Sequence, residues 1–291
     1  SVTTVSRFIK KVAQQIHHRP FDALPEHLMM DEFKSVKHVI GSMSFIFADA
    51  ITHQIVDIIE DRKLKSLEDY FLRFSLQERR KVKTVTIDMH QPYMSLIPTV
   101  FPNAEIIIDR FHIVQSLNRT LNMTRIKVMN ELRYIHRPDY NKLKRFWKLI
   151  LKPLEELELF QYKKVRLFKE WKTEKGIVSY LLNLDSQLAY TYSYVHQLRY
   201  HIKNNNVRSF ENTLISVKQS EVGYKLKPVI CTLKRYKYYI KNTIQFKTLT
   251  NGPIEVINNK IKTIKRVSYG YKNFENLRNR IILCSGLYIN F

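Results

Sequence analysis

Cysteines and long apolar runs are scarce in this 291-residue chain, and each scarcity excludes a class of protein. The two cysteines, Cys231 and Cys284, have no CxxC partner and no histidine cluster nearby, so neither a disulfide scaffold nor a zinc ribbon is supported. No stretch approaches the roughly 18 to 20 consecutive apolar residues of a membrane span. Residues 1–16 also lack the apolar centre of a secretory signal. We therefore expect a cytoplasmic protein with no membrane partner.

Acidic residues are scarce as well, since 26 Asp and Glu stand against 49 Lys and Arg and give a formal net charge of +23. An excess of one sign this large indicates a polyanionic partner, and we interpret that partner as a nucleic acid. The alternative is the bias of a proteome rich in Lys, Ile and Asn. Hydrophobic residues make up 44% of the chain. That is enough to bury the core of one large domain or two smaller ones.

Glycine is nearly absent from residues 113–250, where only Gly176 and Gly223 occur. Apolar residues recur there at helical spacing, so the pattern predicts an almost wholly helical block. Lysines and arginines alternate with aromatic residues in this block around Trp147, Trp171 and Tyr236. We favour a core role for these aromatic residues, and contact with DNA bases or sugars is the alternative.

The segment from His27 to Asp109 has short β runs separated by helical stretches and turns. The predicted strands cover residues 28–30, 43–47, 54–59, 82–87 and 104–108, and the predicted helices cover residues 67–80 and 92–101. Three strands that form a meander, followed by alternating helix and strand, fit a mixed sheet flanked by helices. The predicted fold class is therefore α/β, with the element order of an RNase H-like nuclease core.

Three acidic residues lie where such a fold would gather them. Asp31 follows an apolar triplet, Asp88 closes a β run, and Glu255 opens a helix after a Pro-containing turn. Carboxylates fixed on strand ends and a helix hold one or two Mg²⁺ ions, the arrangement that cuts and joins phosphodiesters. Taken singly, each of these residues has a purely structural role as the alternative to catalysis, because Asp is common at strand ends and Glu is favoured in a first helical turn.

Two further acidic residues, Glu32 and Asp49, compete as ligands. Glu32 should point away from Asp31, because neighbours in a strand alternate between the two faces. In the final segment, which begins at Asn251, Ile254, Ile257, Ile261 and Ile264 predict one buried stripe of a helix. Glu255, Asn258 or Asn259, and Lys262 share a different face, so a carboxylate, an amide and an ammonium group point together.

A series of strings occurs in a characteristic order: Asp31-Glu32-Phe33, Ile87-Asp88-Met89 with Pro92-Tyr93, Phe101-Pro102-Asn103-Ala104, Ile108-Asp109-Arg110-Phe111-His112, Asn251-Gly252-Pro253-Ile254-Glu255 with Asn258, Lys260 and Lys262, and Gly270-Tyr271 with Asn273-Phe274. Through these strings the chain resembles the bacterial insertion-sequence transposases of the ISL-three type, which carry a DDE catalytic triad. The resemblance implies an RNase H-like catalytic core with a large all-helical insertion. It also implies Mg²⁺- or Mn²⁺-dependent cleavage and joining of DNA, with two ions and Asp31, Asp88 and Glu255 as catalytic and metal-binding residues.

The same resemblance implies that the partners are transposon-end DNA and target DNA, that the protein acts as a homo-oligomer, and that it lies near the bacterial nucleoid. Asp109-Arg110-Phe111-His112 also resembles the Asp-x-x-His signature of Mutator-like transposases. It implies that Asp109 and His112 support catalysis, with Asp109 as the reserve second aspartate; a helix-capping Asp with a packed His is the alternative. The candidate DNA-binding residues are Arg110, Asn258, Asn259, Lys262, Lys265 and Arg266.

The predicted organisation has four parts: residues 1–25, 26–112, 113–250 and 251–291. Residues 1–12 form an amphipathic pattern that resembles the recognition helix of a helix-turn-helix motif without its first helix, so we expect a fragment; an ordinary amphipathic helix is the alternative. A catalytically inactive DNA-binding protein or regulator derived from a transposase is the rival function. A structure-specific nuclease or resolvase is disfavoured by the long helical insertion.

Overall fold

The computed structural model describes residues 4, 7–12 and 22–285. Residues 7–12 are helical, and most of the predicted helix-turn-helix remnant in residues 1–25 lies outside the described residues. The chain divides into two compact units, one of Ser1–Asp109 with Phe246–Phe291 and the other of Arg110–Gln245. None of the helices in the described part combines the length and the apolar character that crossing a bilayer requires.

A five-stranded mixed sheet is the centre of the first unit. Its strands are β1 (His27–Lys34), β2 (Met43–Asp49), β3 (Ile55–Ile59), β4 (Thr84–Ile87) and β5 (Glu105–Ile108). Their spatial order is β3-β2-β1-β4-β5, in which β1, β2 and β3 are antiparallel neighbours and β1, β4 and β5 run parallel. All five strands predicted from the sequence are confirmed.

Strand β1 is longer than its apolar triplet predicted. Phe33 is buried, and β1 pairs with β2 as far as Lys34, which lies opposite Met43. Asp31 therefore lies inside β1, whereas the sequence placed it at the end of a strand. The cause is the antiparallel partner, because β2 offers hydrogen bonds beyond the point where the apolar run stops.

The helices between β3 and β5 are α1 (Leu64–Phe71), α2 (Leu76–Lys81) and α3 (Gln91–Val100). The predicted helix over residues 67–80 is divided between α1 and α2. Ser75 causes the division, because its hydroxyl accepts a hydrogen bond from the Glu78 backbone N–H at 3.2 Å and caps the second helix. Aromatic rings of β2 and α1 pack edge to face on this side of the sheet, for example Phe47 against Phe71.

The second unit is mostly helical. Its helices are α4 (Arg110–Ile135), α5 (Arg137–Arg145), α6 (Trp147–Leu151), α7 (Glu174–Leu182), α8 (Ser186–Lys203), α9 (Val207–Ser216), α10 (Leu226–Arg235) and α11 (Lys237–Gln245). One correction to the all-helical prediction is a hairpin of β6 (Lys163–Val165) and β7 (Glu170–Lys172). The sequence between α6 and α7 lacks a continuous apolar stripe at helical spacing, and its lysines and aromatic residues suit an exposed ribbon.

Two helices complete the first unit, α12 (Gly252–Val267) and α13 (Phe274–Cys284). Ile254, Ile261 and Ile264 of α12 are buried, as predicted, and Ile257 is partly buried. They pack with Met29 of β1 and with apolar residues of β2, β3 and β5. Helices α12 and α13 therefore cover the face of the sheet opposite to the aromatic cluster.

Candidate active site

Three aspartates belong to three adjacent parallel strands: Asp31 lies in β1, and Asp88 and Asp109 directly follow β4 and β5. The strand register aligns Met29 with Thr86 and Thr86 with Ile107. The β1–β4 pairing ends at Met29 and Thr86, and continuing the same register by two residues brings Asp31, Asp88 and Asp109 level with one another. The Asp109 backbone N–H donates to the Ile87 carbonyl at 2.8 Å, which extends the β4–β5 ladder to this point. Because alternate residues share a face, these carboxylates lie on the side of the sheet that α12 covers.

Helix α12 contacts this row of aspartates at two points. The Asn251 backbone N–H donates to Asp109 Oδ1 at 3.2 Å, and its side-chain Nδ2 donates to the Met30 carbonyl at 3.1 Å. One helical turn beyond Glu255, the Asn258 Nδ2 donates to Asp31 Oδ2 at 2.7 Å. Positions 251, 255 and 258 have the spacing of one helix face. In the sequence of α12, Glu255 therefore lies between two residues that contact the row of aspartates, on the same helix face.

A tighter group forms around the second aspartate. Asp88, Asp109 and His112 each offer one ligand atom, and these atoms all lie within 4.8 Å of one another. His112 is in the first turn of the helix that directly follows Asp109, so the local backbone sets its position. Among the described residues, Asp31 and Glu255 are not members of this group. The joint coordination of an ion by Asp31, Asp88 and Glu255 stays a prediction.

Two buried amide oxygens distinguish this region. Asn251 is 1% exposed and Asn258 is 8% exposed, and the Oδ1 atom of each accepts no hydrogen bond from the described residues. A buried acceptor without a donor costs about 1–3 kcal/mol. Both amides lie beside carboxylates, so a cation at this edge of the sheet would offset the cost. The donor set, carboxylate and amide oxygens, is the type that Mg²⁺ or Mn²⁺ prefers, and the residues present fit such an ion.

The two competing acidic residues have other partners. Glu32 accepts hydrogen bonds from Arg62 and from the Tyr93 hydroxyl, so it points away from Asp31, as predicted. The hydrogen bond to Glu32 raises the pKa of Arg62, and burial raises the pKa of Tyr93. Asp49 accepts from the Ile51 N–H at 2.7 Å and thereby closes the turn after β2. Neither carboxylate is available to the candidate site.

Some of the candidate DNA-binding residues have exposed side chains, and the others make hydrogen bonds within the protein. The side chains of Asn259, Lys262 and Arg266 are exposed, which suits contact with a polyanion. Asn258 is turned inward and donates to Asp31 in the candidate site, and its contact with DNA stays a prediction.

Arg110 and Lys265 also have anchoring contacts. Within the second unit, Arg110 donates to the Thr243 carbonyl at 3.0 Å. Lys265 donates to the carbonyls of Lys34 and Ser35 at 2.6 and 2.7 Å, and burial lowers its pKa. Both residues join segments that are distant in sequence, so a substitution at either would disturb the fold together with any DNA contact.

A family model described as transposase, of the ISL-three type, matches residues 28–281. The chain belongs to this transposase family. The matched range contains all the acidic residues of the candidate site and His112. The resemblance inferred from the motifs is therefore confirmed at the level of the family.

Two curated relatives match parts of the chain. The transposase for insertion sequence element IS1001 from Bordetella parapertussis is 27% identical over 252 residues, which cover 86% of this chain and 58% of that protein. A protein of Lactococcus lactis subsp. lactis named ATP-dependent protease is 33% identical over 114 residues, 39% of this chain and 36% of that protein. The chain thus spans less than two thirds of either relative. No solved structure matches it significantly.

The sequence did not identify the roles of Asn251 and Asn258. Asn251 precedes a Gly-Pro pair at a helix start, where an asparagine is expected to cap the helix with its side chain. Its side chain makes no such cap and reaches β1. The available signal was the spacing of 251, 255 and 258, which puts two amides on the same helix face as Glu255.

Proposed function

We propose that this chain is the catalytic part of a DNA transposase that cleaves insertion-sequence ends and joins them to target DNA. The observation that carries the proposal is the row of Asp31, Asp88 and Asp109, which lies beneath the helix that carries Glu255. An RNase H-like core is supported by the strand order β3-β2-β1-β4-β5, with an antiparallel meander followed by two parallel strands.

In this proposal Asp31, Asp88 and Glu255 hold two divalent ions, Mg²⁺ or Mn²⁺. Bound ions of this kind activate the attacking oxygen and neutralise charge on the phosphoryl group. Asn258 fixes the orientation of the Asp31 carboxylate, and Asn251 fixes that of Asp109. His112, whose ring lies within reach of Asp88, braces that carboxylate and donates a hydrogen bond to the scissile phosphate.

The proposed partners are transposon-end DNA and target DNA, bound through basic surface in residues 113–250 and on α12. Joining two ends requires that both be held at once, so the active form is proposed to be a homo-oligomer in the cytoplasm, near the bacterial nucleoid. The formal charge of +23 supports the DNA partner.

Single-carboxylate variants test the proposal. Asp31→Asn, Asp88→Asn and Glu255→Gln should each lower Mg²⁺-dependent cleavage by about 10²- to 10³-fold or more, because each removes a group that stabilises the transition-state charge. Cleavage is measured on labelled DNA that flanks the coding sequence on both sides, and binding is measured in parallel. Glu105→Gln, an exposed carboxylate at the opposite end of β5, is the matched control and should keep full activity.

Asp109→Asn decides between the two candidates for the second aspartate. It should reduce cleavage less than Asp88→Asn does, since Asp109 is proposed to support the site. Complete loss in Asp109→Asn, with activity kept in Asp88→Asn, would reverse that assignment. A chain that binds DNA but cleaves none under Mg²⁺ or Mn²⁺ would instead be the inactive, transposase-derived DNA-binding protein.

A further inference from the structure

The β6–β7 hairpin of the second unit exposes aromatic and basic side chains on one face. Trp171 is 64% exposed and Tyr162 is 63% exposed. Lys164 lies directly opposite Trp171 in the hairpin register. Tyr162 directly precedes β6, two residues before Lys164. Tyr162, Lys164 and Trp171 together are called the hairpin face below.

The hairpin is anchored to its unit, so the exposure of Trp171 does not come from a detached loop. Phe168, in the turn between the strands, is buried, and its ring centroid lies 4.9 Å from that of Tyr180 and 5.8 Å from that of Phe146. Lys142 lies over the Phe168 ring at 4.9 Å. The turn of the hairpin is thus packed against its unit, and the hairpin face is exposed on a fixed support.

The charge around this face is positive. Residues 158–172 contain five basic side chains and two acidic ones: Lys163, Lys164, Arg166, Lys169 and Lys172 against Glu158 and Glu170. Lys172 pairs with Glu170 at 2.9 Å, whereas no ion pair within the described range engages Lys164 or Arg166. A groove of about 750 Å³ beside the face is lined by five basic residues, among them Arg145, Lys163 and Arg166, and by two acidic ones, Glu158 and Glu174.

An occupant of this face must offer both negative charge and flat apolar rings. Unpaired nucleotides do so, because their phosphates are anionic and their bases are free to stack on aromatic side chains. In an intact duplex the base faces are already stacked on one another, so the Trp171 ring would find no free partner. A second copy of this chain would bring a like charge to the face.

We propose that the hairpin face binds an unpaired stretch of DNA, with Trp171 stacked on a base and Lys164 neutralising a neighbouring phosphate. The proposal rests on the proposed transposase function for the source of such DNA, since cutting one strand close to a duplex end leaves a short strand that dissociates and exposes unpaired bases. It adds a substrate preference to that function, namely for DNA with unpaired bases over DNA that is fully paired.

The test uses the full chain with Trp147→Phe, which leaves Trp171 as the single tryptophan of the two in the sequence. Binding of a mixed-sequence single strand and of a duplex of equal length is followed by tryptophan fluorescence in EDTA, which prevents cleavage. The single strand should quench the fluorescence of Trp171. In the chain that keeps Trp147, Trp171→Ala should weaken single-strand binding about 5- to 150-fold, the equivalent of about 1–3 kcal/mol for one stacked base. Duplex binding should change less than about twofold.

Two further variants separate stacking from charge. Trp171→Phe should restore most of the affinity, because phenylalanine keeps an aromatic face. Lys164→Ala should reduce the slope of log affinity against log salt by about 0.7 for the single strand, the value for one phosphate contact. Trp171→Ala should leave that slope unchanged.

Equal losses of single-strand and duplex affinity in Trp171→Ala, or no quenching by the single strand, would overturn the proposal. So would a change of oligomeric state in Trp171→Ala, seen by sedimentation at unchanged single-strand affinity, because the face would then join copies of the chain. Binding without Mg²⁺ is independent of cleavage. If the chain prefers single-stranded DNA but never cleaves, only the transposase function is refuted. If it cleaves but has no preference for single-stranded DNA, only this inference is refuted.

Discussion

The Asn258 amide is placed to hold the Asp31 carboxylate in one orientation. Its Nδ2 donates to Asp31 Oδ2 at 2.7 Å, and the side chain is buried. We expect Asn258→Ala to lower the cleavage rate about 10- to 100-fold and to raise the Mg²⁺ concentration needed for half-maximal rate, because groups that orient metal ligands have effects of this size. Initial cleavage rates across a Mg²⁺ titration measure both quantities.

Val256→Ala is the matched control, because Val256 lies on the same helix and is 68% exposed. It should leave both the rate and the Mg²⁺ requirement unchanged. Asn258→Ala with a lower melting temperature but an unchanged Mg²⁺ requirement would make Asn258 a purely structural residue.

At the level of single residues, the sequence could predict chemistry but only part of the geometry. The motifs contained Asp31, Asp88, Asp109 and Glu255, since each follows a clear β run or opens a helix. Helical spacing placed either Asn258 or Asn259 near Glu255 and could not choose between them. The choice depends on where β1 lies beside the helix, which is a tertiary contact.

Helix α12 is fixed by its isoleucine stripe, and this stripe sets the position of Glu255. Ile261 is 1% exposed and packs with the apolar residues of the sheet. Ile261→Ala should lower the free energy of unfolding by about 2–5 kcal/mol, through lost burial and the cavity left behind. Urea denaturation followed by circular dichroism measures the change. Val256→Ala on the exposed face should stay within about 0.5 kcal/mol of the parent chain.

An effect of Ile261→Ala as small as that of Val256→Ala would mean that α12 is not held by this stripe. The geometry around Glu255 would then need another explanation. A double variant with Asn258→Ala would show whether the stripe and the Asn258 contact act together, because residues that share a support have non-additive effects on stability.

Among the elements, those with a strong local pattern were predictable. The five strands have short apolar runs, and α12 has a stripe at helical spacing. The break at Ser75 was missed because the flanking residues keep helical spacing on both sides of it. The β6–β7 hairpin was missed because its anchor is Phe168 alone, and one buried aromatic in a basic segment produces no periodicity.

At the scale of the whole molecule, the two compact units follow the change in sequence pattern near residue 110 and again near residue 246. The β-rich segment is completed by the last two helices, which are separated from it by more than a hundred residues. The sequence predicted this arrangement through the motifs around Asp109 and Glu255. It could not predict the hydrogen bond between the Asn251 backbone and Asp109, because the whole second unit separates these two residues in the sequence.

The net charge of +23 makes DNA affinity a property of the whole chain as well as of its site. Each phosphate that the protein neutralises releases condensed counterions, so the logarithm of duplex affinity should fall by about 0.9 per phosphate for each tenfold rise in salt. With six to ten contacts, affinity should drop by about 10³- to 10⁵-fold between 50 and 200 mM salt. Fluorescence anisotropy of a labelled duplex at several salt concentrations gives the slope directly.

Variants that remove one positive charge then show which surface of the protein makes the phosphate contacts that produce the salt dependence. Lys262→Ala and Arg266→Ala, on the exposed side of α12, should each reduce the duplex slope by about 0.9 and leave the unfolding free energy nearly unchanged, because their side chains lie outside the buried stripe. The same measurements with random-sequence DNA should give a similar slope, since phosphate contacts carry no sequence information. A duplex affinity that does not change with salt would remove DNA from the ligands of this chain and with it the proposed transposase function.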